Sequence, residues 1–319
     1  MRKPVNKLLL YFFINSYTDR YIKFSKSQMK NIILSGSSSG FGLLTAQTLA
    51  KQGHTVFATM RNVSTTNAAA AHQLRQWAVD NNADIQVVEL DVTSDASIKT
   101  AITEIADKAS GKIDVLINNA GIAAIGLNES FSSEQVNQIF QVNVIGADRL
   151  IKAVLPYMHQ QKSGLLIQLS SGLARLHLPH MGAYVAAKAA IDALAETYHY
   201  ELRSSGIDSV IVQPGGYPTT DIIAKQLTPA NLSVEANYSD DTLQLKSAVA
   251  GLFVPSETSP DPQEVADLIA DIVETPTGQR SIWHPIGVGA ILPYVQQLNA
   301  GTEQLAGAVI SSLSPEVPA

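Results

Sequence analysis

The chain has 319 residues, a formal charge of −6, 45% hydrophobic residues and no cysteine. That acidity, without any basic stripe, argues against a nucleic-acid partner, whose phosphates call for clustered Lys and Arg. The missing cysteine excludes disulfides, thiolate metal sites and a Cys nucleophile.

Residues 1–28 differ in composition from the rest of the chain. They are basic (Arg2, Lys3, Lys7, Arg20, Lys23, Lys26), with one apolar run from Leu8 to Ile14. The run falls well short of the ~20 residues of a spanning helix. The stretch reads as a disordered extension, or as an upstream start before Met29. A sharper alternative is a weak interfacial anchor. No firm membrane association and a cytoplasmic location are expected.

From Met29 onward, short apolar runs alternate with helical patterns. Strands are predicted over residues 31–35, 55–59, 85–90, 113–117, 165–169 and 207–212. Helices are predicted over 41–52, 65–81, 95–108, 133–160 with a break near Gln141, and 181–204. The strands are continuously apolar, as strands buried on both faces are. The alternation predicts an α/β fold: a doubly wound, Rossmann-like parallel sheet with helices on both faces, in a single domain over 29–319. Residues 216–262 break the rhythm with Ser, Thr, Pro, Asn and Asp and only short helical patches. So long an irregular segment reads as a substrate loop. A helix over 262–274, a short strand near 281–283, a helix over 290–298 and a small-residue tail complete the chain.

Three places carry chemistry. The first strand runs through Ser35 into Gly36-x3-Gly40-x-Gly42 and a helix. Such a turn offers backbone N–H groups and a positive dipole end to a diphosphate. The second strand ends in Ala58-Thr-Met-Arg61, with an Arg and no carboxylate. An acidic residue there would accept from a ribose 2′-hydroxyl, whereas Arg61 suits a 2′-phosphate, so NADP(H) is favoured over NAD(H). Tyr184 and Lys188 lie one helical turn apart on one face. A neighbouring cation lowers a phenol's pKa toward the range useful for proton transfer to or from an alcohol or carbonyl. His177 and His180 have no carboxylate nearby to complete a metal set, and no metal site is read.

Together with Asn118-Asn119-Ala120-Gly121, Asn143 in Val-Asn-Val-Ile-Gly, Ser171 and Pro214-Gly215, these motifs occur in order over residues 30–283. The pattern resembles the classical short-chain dehydrogenases/reductases, with a finer similarity to steroid- and retinol-type members. The resemblance implies an NAD(P)-dependent oxidoreductase interconverting a secondary alcohol and a carbonyl compound. Tyr184 would be the general acid/base. Lys188 would lower its pKa and hold the nicotinamide ribose, Ser171 would donate to the substrate oxygen, and Asn143 would order a relay water. Gly36, Ser39, Gly40, Phe41, Gly42 and Arg61 would hold the dinucleotide. Asp91 and Val92 would border the adenine, and Asn118, Ala120 and Gly121 the ribose. Pro214, Gly215 and Thr219 would meet the nicotinamide end. A homodimer or homotetramer acting on a small alcohol or ketone is implied.

Ser35 stands where the family usually has Thr, and Phe41 where a smaller aliphatic is common. Arg175, His177 and His180 make the stretch before Tyr184 more polar than a steroid-like pocket wants. Two other readings are a catalytically silent, redox-sensing dinucleotide-binding regulator and an epimerase or dehydratase on the same fold. The first would normally have lost the Tyr, Lys or Ser, and the second would carry a different glycine spacing.

Overall fold

The computed structural model describes residues 28–222 and 225–313. The predicted N-terminal extension lies outside them, save its last position. The elements are β1 Asn31–Ser35, α1 Gly40–Lys51, β2 Thr55–Met60, α2 Ala68–Asp80, β3 Ile85–Glu89, α3 Asp95–Lys108 and β4 Val115–Asn118. Next come α4 Ser133–Phe140, a π turn Gln141–Ile145, α5 Gly146–Gln161, β5 Gly164–Leu169, α6 Gly182–Leu202 and β6 Ile207–Pro214. The chain continues with α7 Asp240–Gly251, α8 Gln263–Glu274, β7 Trp283–Ile286 and α9 Leu292–Leu313.

All seven strands are parallel, in the order β3-β2-β1-β4-β5-β6-β7. Successive side chains of a strand point to opposite faces, and the burial agrees. Ile32 and Leu34 enter the apolar layer shared with Leu49, Leu74 and Ile269, while Ile33 enters the one shared with Ile102, Leu150 and Val154. The continuous apolar runs therefore mark two cores, one on each face of the sheet. The strand order reverses between β1 and β4, where an open α/β sheet forms its crevice.

Local chemistry fixes the element ends. The Ser94 hydroxyl accepts from Ser97 N–H at 3.2 Å to start α3, and Ser132 with Gln135 forms a capping box for α4. Lys162 and Gly206, both left-handed, close the turns after α5 and α6. The predicted helix over 133–160 breaks at Gln141, as expected, and does so as a π turn. Three expectations need correction. The polar segment after β6 carries a full helix, α7. The last helix runs on to Leu313 through the small-residue tail. The last strand begins at Trp283, beyond most of the predicted 281–283.

Candidate active site

The cleft lies at the carboxyl ends of the strands and has a volume of about 1090 Å³. Its nucleotide wall is built by the turn between β1 and α1. Gly36 and Gly40 take φ +71° and +56° there, conformations open to glycine. A Cβ on Gly36 would stand 2.7 Å from the Ala120 Cα, and one on Gly42 would run into the Gly36 carbonyl oxygen. The Ser35 hydroxyl clamps the β4 turn to β1, accepting from the N–H groups of Asn119 and Ala120 at 3.0 and 3.1 Å. Asn119 Nδ2 returns the contact, donating to the Ser35 and Gly36 carbonyls at 2.9 and 2.8 Å. This is a cradle shaped for a diphosphate at a helix N-terminus. Arg61, Asp91 and Val92 line its far end, and the Asp91 carboxylate is held by the Thr93 N–H and hydroxyl at 2.9 and 2.7 Å. The residues fit a dinucleotide.

The floor is made where β5, the short turn after it and α6 converge. Ser171 and Tyr184 both face the cleft, the Ser171 hydroxyl near enough to favour the Tyr184 phenolate, and Ser171 Oγ accepts from Leu173 N–H at 3.1 Å. Lys188 Nζ donates to the Leu169 carbonyl at 2.8 Å and lies 5.7 Å from the Tyr184 ring centre. Burial pushes the Tyr184 phenol up to about 12, and the nearby Ser171 hydroxyl opposes this only in part. Burial likewise pulls Lys188 down to about 8, against the attraction of Asp192. The expected lowering of the phenol by its lysine neighbour is not what this cleft imposes by itself, because desolvation penalises both charged forms.

Of the anticipated residues, Gly36, Ser39, Gly40, Phe41, Arg61, Asp91, Val92, Ala120, Gly121, Ser171, Tyr184, Lys188, Pro214 and Gly215 line one cleft. Four do not. Gly42 is a packing glycine beneath the turn. Asn118 is buried and donates to the Ala147 carbonyl at 3.3 Å, leaving the cleft position to Asn119. Thr219 is exposed outside the cleft, and its neighbour Thr220 faces the cleft instead. Asn143 sits in the π turn and binds both backbone groups of Ile122, at 2.8 and 2.9 Å. Its side chain is thus spoken for, although Gly121 separates its oxygen from the Lys188 ammonium by little more than a Cβ.

The substrate side holds residues with no motif to announce them. Leu173, Leu176, Leu178 and Met181 line the cleft from the stretch before α6, with Ile222, Leu252 and Phe253 also on its walls. Arg175, His177 and His180 of the same stretch do not line it. His180 is buried and bonded to the Thr242 carbonyl at 2.9 Å, and Arg175 lies over the Trp283 ring. The polarity read there from sequence faces away, and the pocket is apolar. Lys225 reaches from this side to Ser39 Oγ at 3.0 Å, across the phosphate position. Phe41 packs edge-on against Tyr217, with ring centres 5.1 Å apart. Among the described residues, no cluster of His, Asp and Glu could hold a metal, and no helix is long and apolar enough to cross a membrane.

Residues 30–230 match the family model "short chain dehydrogenase". The chain is 35% identical to an uncharacterised oxidoreductase of Bacillus subtilis over 262 residues, which is 82% of this chain and 90% of the relative. It is 31% identical to retinol dehydrogenase 8 of Bos taurus over 256 residues, 76% of this chain and 78% of that one. A crystal structure of a short-chain dehydrogenase from Streptomyces avermitilis superposes with a TM-score of 0.70 at 26% identity, covering 91% of this chain and 100% of that one.

Proposed function

The chain belongs to the short-chain dehydrogenase family, and from that premise we propose that it is an NADP(H)-preferring oxidoreductase acting on an apolar secondary alcohol or ketone. The observation that carries this reading is the convergence of Ser171, Tyr184 and, one turn on, Lys188 on the floor of a cleft with apolar walls. When bound, a nicotinamide dinucleotide supplies the hydride donor or acceptor.

In reduction, the neutral Tyr184 phenol donates its proton to the carbonyl oxygen as negative charge gathers there. Ser171 donates a hydrogen bond to the same oxygen, a preorganised dipole at the point of charge development. Lys188 places an ammonium beside the resulting phenolate and favours it. In oxidation, Tyr184 must lose its proton first, so its upward shift hinders that direction at neutral pH. The apolar wall of Leu173, Leu178, Met181 and Phe253 keeps water from the reacting oxygen and selects a hydrophobic substrate. Arg61, at the end of β2, would clamp a 2′-phosphate with its planar fork.

Tyr184→Phe tests the assignment. A loss of at least ~100-fold in kcat/KM is expected, the usual scale for removing a general acid, with cofactor binding kept. Unchanged turnover across a panel of hydrophobic ketones would remove Tyr184 from the chemistry and leave the silent regulator as the better reading.

A further inference from the structure

Behind the cleft runs a line of polar groups that the reaction above does not use. Arg175 Nε donates to Asn299 Oδ1 at 2.9 Å, Asn299 Nδ2 to Gln213 Oε1 at 2.7 Å, and Gln213 Nε2 to Asp192 Oδ2 at 2.9 Å. Each amide accepts on its oxygen and donates from its nitrogen. Flipping either would set N–H against N–H, or oxygen against oxygen, so the network fixes both orientations. The line starts on a cation and ends on a carboxylate, with the amide dipoles aligned between them. Asn299, Gln213 and Asp192 are 3%, 0% and 1% exposed, and in so dry a setting linked hydrogen bonds strengthen one another. The members come from four places: the turn after β5, α9, β6 and α6.

Asp192 lies one turn beyond Lys188 on the same face of α6. Burial pushes its carboxyl up to about 6, resisted by the nearby Ser170 hydroxyl, by the Gln213 amide that donates to it at 2.9 Å, and then by the charges of Arg175 and Lys188. The Gln213 amide and the Arg175 and Lys188 charges all favour its ionised form, whereas an unsupported buried carboxylate would take up a proton. The groups around the pair are few. Tyr184 shares the helix, Ser170 and the Leu169 carbonyl face it from β5, and Asn143 stands across Gly121. Glu196 and Glu303 act one turn further out, beside Arg175.

We propose that Asp192, held as a carboxylate by the chain Arg175–Asn299–Gln213, is a positioning residue that keeps Lys188 an ammonium, which makes helix α9 a working part of the active site. The proposal rests on the role given above to Tyr184 and Lys188. Its sign is definite. Removing the Asp192 charge removes a stabiliser of the ammonium, so Lys188 gives up its proton at lower pH.

The test is the pH dependence of Lys188 acetylation by acetic anhydride in the ligand-free protein, read by mass spectrometry, beside the pH profile of kcat/KM for carbonyl reduction. In Asp192→Asn the labelling midpoint and the alkaline limb should both fall by about one unit, the scale of one close charge. Asp192→Glu should restore most of the shift. Asn299→Leu, which cuts the line without touching the cleft, should move the midpoint the same way by less. An unmoved midpoint in folded Asp192→Asn overturns the proposal; should that variant not fold, an unmoved midpoint in Asn299→Leu does so. The labelling needs no turnover. An inactive wild type would therefore refute the oxidoreductase reading while the Lys188–Asp192 coupling could still be seen.

Discussion

The two walls of the cleft are made of different materials. The nucleotide wall is backbone: Gly36 and Gly42 press against Ala120, Asn119 and one another at distances that leave no room for a Cβ. The substrate wall is side chain. Leu252 is 60% exposed and Leu176 39%, and the segment after β6 is tied to the rest at scattered points, where Leu227 N–H donates to the Ala123 carbonyl and Asn231 N–H to that of Ser130, and His180 bonds to the Thr242 carbonyl. A backbone wall reads one shape shared by all its ligands. A side-chain wall can be exchanged residue by residue without disturbing the sheet.

That contrast predicts a graded series of effects. The largest belongs to the backbone wall. Gly36→Val must place a Cβ against the Ala120 backbone at positive φ, and dinucleotide binding should be lost by calorimetric titration, with a melting temperature several degrees lower. Retained binding would mean that the turn does not hold the diphosphate. Next comes Arg61→Ala, which should weaken NADPH binding about 10- to 100-fold, the worth of a charge-assisted contact, and leave NADH binding unmoved. Equal losses for the two cofactors would detach Arg61 from the 2′-position. The smallest is Leu252→Ser, expected to raise KM for a hydrophobic ketone about fivefold, on the order of 1 kcal/mol of apolar contact, with no change in cofactor affinity. If Leu252→Ser loosened the cofactor as well, the walls would not be independent. The pH response separates the two directions. Because the Tyr184 phenol is held up at about 12, alcohol oxidation should climb with pH through the neutral range, while carbonyl reduction stays flat until Lys188, pulled down to about 8, begins to lose its proton, as initial rates from pH 6 to 9 would show (~3 units, spanning the neutral range).

The same contrast explains what the sequence could and could not convey. Backbone walls require glycine at fixed spacing after a strand, so the nucleotide side was legible, down to the break at Gln141. The choice within the pair Asn118-Asn119 was not, because either member could have turned toward the cleft from a strand end. The substrate wall left no such mark. Helix α7 buries only Val249, so its sequence lacks a clear apolar stripe. Helix α9 is rich in small residues, with Gly301 and Gly307 inside it weakening any helical signal. Arg175, His177 and His180 were visible as polar residues, but nothing local showed that they turn away from the cleft. The bonds joining Arg175 to Asn299 and Asn299 to Gln213 span 124 and 86 positions, and no spacing rule reaches that far.

The π turn at Gln141–Ile145 has a consequence for how this chain tolerates changes in length. A π turn carries one more residue than a regular turn, so it acts as an insertion absorbed inside a helix. Deleting Val142 would let α4 and α5 fuse into one regular helix with the faces on either side still in phase, because the π turn had absorbed the extra residue. Asn143 would then lose the widened turn that holds its side chain on both backbone groups of Ile122, while the packed faces of α4 and α5 kept their places. A one-residue deletion should therefore be felt at the site, through Asn143 and Ile122, and far less in the packing of α4 and α5.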